Sequence, residues 1–284
     1  MKRTILILIA GALLIGRPGR AQLADEFSVP SANCCLLNTA RSLADQLQDW
    51  NQLGRYHAAN EELKKRPPEA GRVVFMGDSI TDFWRLEEYF PGKPYVNRGI
   101  GGQVTSQMLV RMYPDVIELR PAVMTILAGT NDIARNNGPS TAEMIQHNIM
   151  AMTELAQKHG IKVLLCSILP VSDYPFLAQQ AAGPATAAGG GRGPAGPGGG
   201  PGRGMMIRQR MTVGRPPADI LKLNAWMKSY AQQVNAIYVD YFSAFVDDKG
   251  WLKDGLASDG LHPNADGYKI MVPIISAAIQ QALR

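Results

Sequence analysis

The sequence predicts an α/β fold: a three-layer α/β/α sandwich built on a central parallel sheet of about five strands. Three observations predict it. Short apolar runs recur along the chain, and each is continuous rather than alternating, the pattern of strands covered on both faces. Longer amphipathic stretches with apolar residues at three- and four-residue spacing separate them. Joined by right-handed crossovers, such units lie side by side in a doubly wound sheet. A chain of 284 residues, 46% hydrophobic and 19% charged, suits one domain of this kind.

The first segment stands apart from that core. Lys2 and Arg3 precede an almost wholly apolar stretch over 4–16, and small residues follow at Gly19 and Ala21. This layout predicts a secretory signal peptide over residues 1–21, cleaved after Ala21, and hence export to the periplasm or medium. The apolar run is shorter than the roughly 20 residues of a membrane span. The alternative reading is a retained N-terminal anchor.

Residues 22–70 read as a helical extension packed on the domain. Leu43, Leu47, Trp50, Leu53 and Tyr56 or His57 recur at helical spacing, predicting one helix over about 40–65 that ends before Pro67 and Pro68. Trp50 and Tyr56 are expected in the core.

The main domain spans 71–284. Strands are expected at 72–76, 93–97, 123–128, 162–169 and 236–239, and helices at 104–119, 141–159, 217–234 and 264–283. One segment interrupts the alternation. Between 183 and 214 lie 12 of the chain's 29 glycines, with Pro184, Pro194, Pro197 and Pro201. Such a composition cannot bury enough surface to order itself, so a flexible insertion is expected over about 178–216. Arg192, Arg203, Arg208, Arg210 and Arg215 are then read as solvated.

Composition excludes several function classes. The net charge of +5 comes from 29 basic and 24 acidic residues. Lys2, Arg3, Arg17 and Arg20 all fall in the signal segment, so the mature chain carries 25 against 24. Near-neutrality gives no reason to expect a nucleic-acid partner. Three cysteines, two of them adjacent (Cys34 and Cys35), form no disulfide framework. Cys166, inside VLLCSIL, reads as a buried small hydrophobe. No spacing of Cys and His suggests a zinc site.

The chemistry is carried by four short segments. In Gly77-Asp-Ser-Ile-Thr81 a strand ends and a helix begins, which puts Ser79 at the mouth of the sheet with its N–H outward. A plain N-cap serine remains the alternative. Of the four histidines, His57, His147 and His159 fall in helical stretches. His262 lies instead in Ser258-Asp-Gly-Leu-His-Pro263, a loop before the last helix. Asp259, three residues earlier, is near enough to orient its imidazole; a capping Asp beside a loop His is the alternative. The glycines of Val96-Asn-Arg-Gly-Ile-Gly-Gly102 and the side-chain amide in Gly129-Thr-Asn-Asp132 reach the same sheet edge. Ser79 N–H, Gly102 N–H and the Asn131 amide would thus supply three donors for a developing oxyanion.

Taken together and in this order, GDSIT, NRGIGG, GTND and DGLHP resemble the four sequence blocks of the SGNH (GDSL-type) hydrolase family. The second and third look most like the branch that includes the catalytic subunits of platelet-activating-factor acetylhydrolase and bacterial secreted esterases. The resemblance spans residues 76–263 and implies the flavodoxin-like fold of that family. It implies Ser79 as nucleophile, His262 as base, Asp259 as its orienter, and Ser79, Gly102 and Asn131 as the oxyanion hole. It also implies an acyl-enzyme route with no metal or organic cofactor. An α/β-hydrolase would carry G-x-S-x-G at its nucleophile, and this chain has none. The expected substrate is a small-molecule or carbohydrate ester with an acetyl or other short acyl group. A lysophospholipase or short-chain lipid esterase, an O-acyltransferase and a non-catalytic binding module stay open as alternatives. No stable membrane insertion is expected after signal cleavage. The Gly/Pro-rich insertion departs from the family pattern.

Overall fold

The computed structural model of the chain describes residues 35–182 and 209–284. The expected signal peptide, Cys34 and most of the Gly/Pro-rich insertion lie outside them. The chain divides into two units, Met1–Gln48 and Asp49–Arg284. The described part of the first is helix α1 (Cys35–Gln48).

In the second unit, α2 (His57–Lys64) leads into β1 (Val73–Gly77), and two short helical turns follow, α3 (Ser79–Asp82) and α4 (Leu86–Tyr89). Then come β2 (Tyr95–Gly99), α5 (Thr105–Val110), α6 (Met112–Asp115), β3 (Val123–Leu127), α7 (Thr130–Ile133), α8 (Ala142–Lys158) and β4 (Lys162–Cys166). After α9 (Tyr174–Ala181) and α10 (Met211–Gly214), the chain completes α11 (Pro217–Gln233), β5 (Ile237–Val239), α12 (Phe242–Phe245) and α13 (Ala265–Ala282). The strands form one sheet in the order β2-β1-β3-β4-β5. Every neighbouring pair is parallel.

The continuous apolar strands predicted from sequence follow from this arrangement. Val74 and Met76 of β1 join Met124 and Ile126 of β3 in one core, beneath α5, α8 and α11. Val73 and Phe75 point the other way and join Val123, Leu127 and Leu164 in a second core beneath α13. Both faces are therefore dry, and β1 and β3 are buried at every position. Cys166 belongs to the second core, and burial pushes its thiol up to about 12, leaving it inert.

Two expected helices differ in the structure. The single helix over 40–65 is broken between α1 and α2. There the Asp49 carboxylate accepts from the N–H groups of Leu53 and Gly54, each at 2.8 Å, and Gln52 takes a left-handed φ of +55°. Trp50 is consequently not a core residue. It is 48% exposed, and its carbonyl accepts from Gln107 Nε2 at 2.6 Å. Tyr56 is half-buried, with its hydroxyl on the Gly99 carbonyl and the Arg98 guanidinium 4.6 Å from its ring centre. The helix expected over 104–119 divides into α5, α6 and a 3-10 turn, Ile117–Leu119. Pro114 has no N–H to give the Val110 carbonyl, so α5 ends there.

The strand order reverses direction between β1 and β3. Outside the carboxyl ends of these strands lies the crevice where open α/β sheets place their ligands.

Candidate functional site

Gly77 ends β1, and Asp78 then caps α3 by accepting from the Ile80 N–H at 2.9 Å. That cap turns the chain sharply and leaves Ser79 as the first residue of the turn, facing the crevice with 7% of its surface exposed. Ser79 Oγ lies 2.8 Å from His262 Nε2. His262 Nδ1 lies 2.6 Å from Asp259 Oδ2. The hydroxyl, imidazole and carboxylate thus stand in one hydrogen-bonded line.

The loop carrying the last two is tightly held. Asp259 Oδ1 accepts from the N–H groups of Leu261 and His262 at 2.9 and 2.8 Å. Burial pushes the Asp259 carboxyl up, yet the His262 imidazole and these two N–H groups together hold it below its ordinary value. Gly260 permits the turn. Its φ is +81°, and a Cβ there would stand 2.2 Å from the Ser172 carbonyl oxygen. Ser172 returns its N–H to the Gly260 carbonyl at 2.8 Å, stitching this loop to the one after β4. Phe83 rests against the imidazole, ring centres 5.3 Å apart.

On the other side of Ser79 runs the loop after β2. Asp82 Oδ2 accepts from the Gly101 N–H at 3.0 Å, while its Oδ1 takes Arg55 at 2.7 Å. A Cβ at Gly101 would lie 3.8 Å from that of Ser79, so this loop passes beside the serine. Gly102 follows at φ +80°, and its N–H has no partner among the described residues. The Asn131 side chain is buried at the start of α7. One of its two amide N–H groups donates to the Gln103 carbonyl at 3.0 Å, and the other has no partner among the described residues. Its Oδ1 accepts from Asn136 Nδ2 at 2.8 Å. Asp132 ties the same turn to α5, accepting from Thr105 Oγ1 at 2.6 Å. All five residues singled out from sequence, Ser79, Gly102, Asn131, Asp259 and His262, therefore meet at one rim.

Three further residues were not visible in the sequence. Asp78 is buried, and its carboxyl is pushed up to about 6 by burial, against the pull of the Ile80 N–H and the charges of His262 and Arg215. Arg111 is fully buried and braces the site from below. It donates to the carbonyls of Arg98 (2.7 Å) and Gly77 (3.1 Å), to Gln103 Oε1 (2.7 Å) and to Asp115 (2.9 Å). Arg215 overturns its expected solvation. It is 8% exposed and reaches Thr130 Oγ1 at 3.0 Å and Asn131 Oδ1 at 3.4 Å. Of the other arginines expected to be solvated, Arg210 is exposed, and 192, 203 and 208 lie outside the described residues.

A cleft of about 430 Å³ opens beside His262, lined by Phe83, Arg85, Glu88, Tyr89 and Ser258 among others. A larger one, about 780 Å³, lies at the opposite edge of the sheet, where β3 and β4 begin at Val123 and Lys162. It contains neither the serine nor the histidine, whereas the smaller cleft is lined by His262 though not by Ser79.

A part-buried hydroxyl–imidazole–carboxylate line at the switch point of a parallel α/β/α sandwich has the form of a hydrolase site. The comparisons specify which. Residues 75–270 match the model of the GDSL-like lipase/acylhydrolase family, and the chain belongs to that family of carboxylic ester hydrolases. Among solved structures, it is similar to a protein assigned as an acylhydrolase from Bacteroides fragilis: 36% identity over 83% of this chain and 99% of that one, TM-score 0.67. It is also similar to a GDSL-like lipase from Bacteroides thetaiotaomicron: 32% identity over 82% of this chain and all of that one, TM-score 0.66. Among curated proteins it is 30% identical over 118 residues to an uncharacterized lipoprotein of Bacillus subtilis, a match to 35% of this chain. The chain spans about half, 49%, of that relative's length.

Proposed function

We propose that this protein is an exported serine esterase that removes acetyl or other short acyl groups from carbohydrate esters. Ser79 is the nucleophile, His262 the base and Asp259 the residue that orients it. The single observation carrying this reading is the 2.8 Å separation of Ser79 Oγ from His262 Nε2, with Asp259 2.6 Å from the far side of the ring.

The chemistry runs in two steps. Ser79 Oγ bonds to the ester carbonyl carbon while its proton passes to His262 Nε2. The resulting oxyanion takes hydrogen bonds from the N–H groups of Ser79 and Gly102 and from the free N–H of Asn131. The C–O bond to the alcohol breaks, and the alcohol leaves with the proton from His262. Water then gives a proton to His262 and attacks the acyl-enzyme, and the acid departs as His262 returns that proton to Ser79 Oγ.

The preference for sugar alcohols rests on the cleft beside His262. The departing alcohol takes its proton from this imidazole and therefore lies on that side. Phe83 and Tyr89 line that cleft together with Arg85 and Glu88, which pair with each other at 2.8 Å. Such a lining suits a hydroxylated ring better than a hydrocarbon chain. Export follows from residues 1–21 read as a cleaved signal peptide, which N-terminal sequencing of the mature protein tests.

Two measurements test the enzymatic reading. A fluorophosphonate probe should label the wild type and leave Ser79→Ala unlabelled; equal labelling of both would exclude Ser79. Rates on p-nitrophenyl esters from acetate to palmitate should peak at the short end. A maximum at long chains would refute the short-acyl assignment.

A further inference from the structure

Arg215 is the last residue before the two prolines that open α11, and it is the end of a Gly/Pro-rich stretch. Its place beside the site is built, by two clamps. Thr212, in α10, donates its hydroxyl to Asp173 Oδ2 at 2.6 Å and its N–H to Asp173 Oδ1 at 3.1 Å. Asp173 belongs to the loop after β4 and is itself buried. With α10 fastened there, the Arg215 side chain turns inward. Its guanidinium donates through Nε to Thr130 Oγ1 at 3.0 Å and through Nη2 to Asn131 Oδ1 at 3.4 Å, taking hold of two successive residues at the start of α7.

A buried guanidinium ordinarily has a carboxylate partner, because taking a charge out of water is costly. Arg215 has no ion pair among the described residues. Its nearest charges are Asp78 and Asp259, both at the catalytic rim and both attractive to it. Its remaining described contact is the Met211 sulfur, 3.9 Å from Nη1. The guanidinium, paired with neither carboxylate, therefore sits directly against the Asn131 amide oxygen. The amide has only one orientation in which Oδ1 accepts from Arg215 and Asn136 while Nδ2 donates to Gln103. Two donors on Oδ1 oppose a flip that would turn an acceptor toward the developing oxyanion.

We propose that Arg215 is a positioning residue for the oxyanion pocket: it locks the Asn131 amide with its donor toward the substrate and polarises it. The idea rests on the esterase reading above, with Asn131 as an oxyanion donor. It also makes full activity depend on the seating of α10, at the C-terminal end of the Gly/Pro-rich stretch.

The test is a double-mutant cycle on p-nitrophenyl acetate with wild type, R215M, N131A and N131A/R215M. R215M should lower kcat by about 10- to 100-fold with KM within roughly a factor of two, since the group acts on the transition state and not on substrate binding. R215K, which keeps the charge without the fork, should recover part of that loss. With N131A already in place, adding R215M should cost less than about threefold, because the residue it positions is gone. An R215M enzyme with wild-type kcat overturns the proposal. So does an equal loss in both backgrounds, which would make Arg215 independent of Asn131. A fully active N131A would instead remove the oxyanion assignment on which the proposal stands, so the two failures are distinct. If R215M does not fold by circular dichroism, R215Q and R215K carry the same comparison.

Discussion

Ser79 Oγ and His262 Nε2 stand 2.8 Å apart although 183 positions separate them in the chain. β1 delivers the serine at the centre of the sheet, and the loop before α13 delivers the imidazole from the other end of the sequence. Tyr268 fastens the two: its hydroxyl, from the first turn of α13, donates to the Ile80 carbonyl at 2.7 Å. The geometry is held by the fold and does not await a ligand. Four predictions follow from that relationship and its surroundings.

Removing either the serine or the histidine should abolish turnover. Ser79→Ala and His262→Ala are each expected to lower kcat by about 10⁴- to 10⁶-fold on p-nitrophenyl acetate, with little change in thermal stability. Asp259→Asn should cost on the order of 10⁴-fold, by losing the partner that fixes the imidazole tautomer. A His262→Ala enzyme with a tenth of wild-type activity would dismiss the imidazole as base.

The Asn131 amide is expected to act only in the transition state. Asn131→Ala should lower kcat by about 100- to 1,000-fold and leave KM nearly unchanged. Steady-state kinetics on a soluble short-chain ester checks this. A rise in KM at constant kcat would assign Asn131 to ground-state binding instead.

Asp78 should leave a signature in the pH dependence of stability. Its carboxyl sits at about 6 in the fold against an ordinary 3.8, mainly through burial. The folded chain therefore holds the proton more firmly than the unfolded one. Above about 6 both forms are ionised, and the fold bears the cost of a buried anion. As pH falls from about 6 toward 3.8, only the fold takes up the proton, and this group's contribution to stability rises. Asp78→Asn, which removes the buried charge, should thus gain melting temperature relative to wild type at pH 7.5 and lose that advantage near pH 4. Asp259 runs the other way: held below its ordinary value, it stabilises the fold above that value and loses the contribution in stronger acid. A difference between Asp78→Asn and wild type that stays constant across pH 4–8 would refute the shift.

Arg111 should matter for stability more than any surface charge. It is fully buried and serves Gly77, Arg98, Gln103 and Asp115. Arg111→Met is expected to cost about 3–5 kcal/mol in urea unfolding, because Asp115 and two carbonyls would lose a buried partner. Asn60 also donates to Asp115 Oδ1, at 2.7 Å, and softens the loss without replacing it. A cost below about 1 kcal/mol would mean that water reaches these groups.

What the sequence determined by itself was the order of elements and the candidate residues for the site. The strands could be read because both faces of the sheet are covered, which forces continuous apolar runs such as Val73–Gly77 and Val123–Leu127. Ser79, Gly102, Asn131, Asp259 and His262 could be named because each lies just past a strand or just before a helix, where local turn chemistry marks the chain. What only the tertiary structure decided was which polar residues lose their water. Arg111 and Arg215 are arginines like any others in the sequence, and Asp78 is one more acidic residue beside a serine; their burial depends on what packs over them from distant positions. Trp50 shows the converse, an aromatic residue at helical spacing that stays exposed because Asp49 turns the backbone before the periodicity can continue. Periodicity is a local property of the chain, whereas desolvation of a charge is set by neighbours brought in from across the fold.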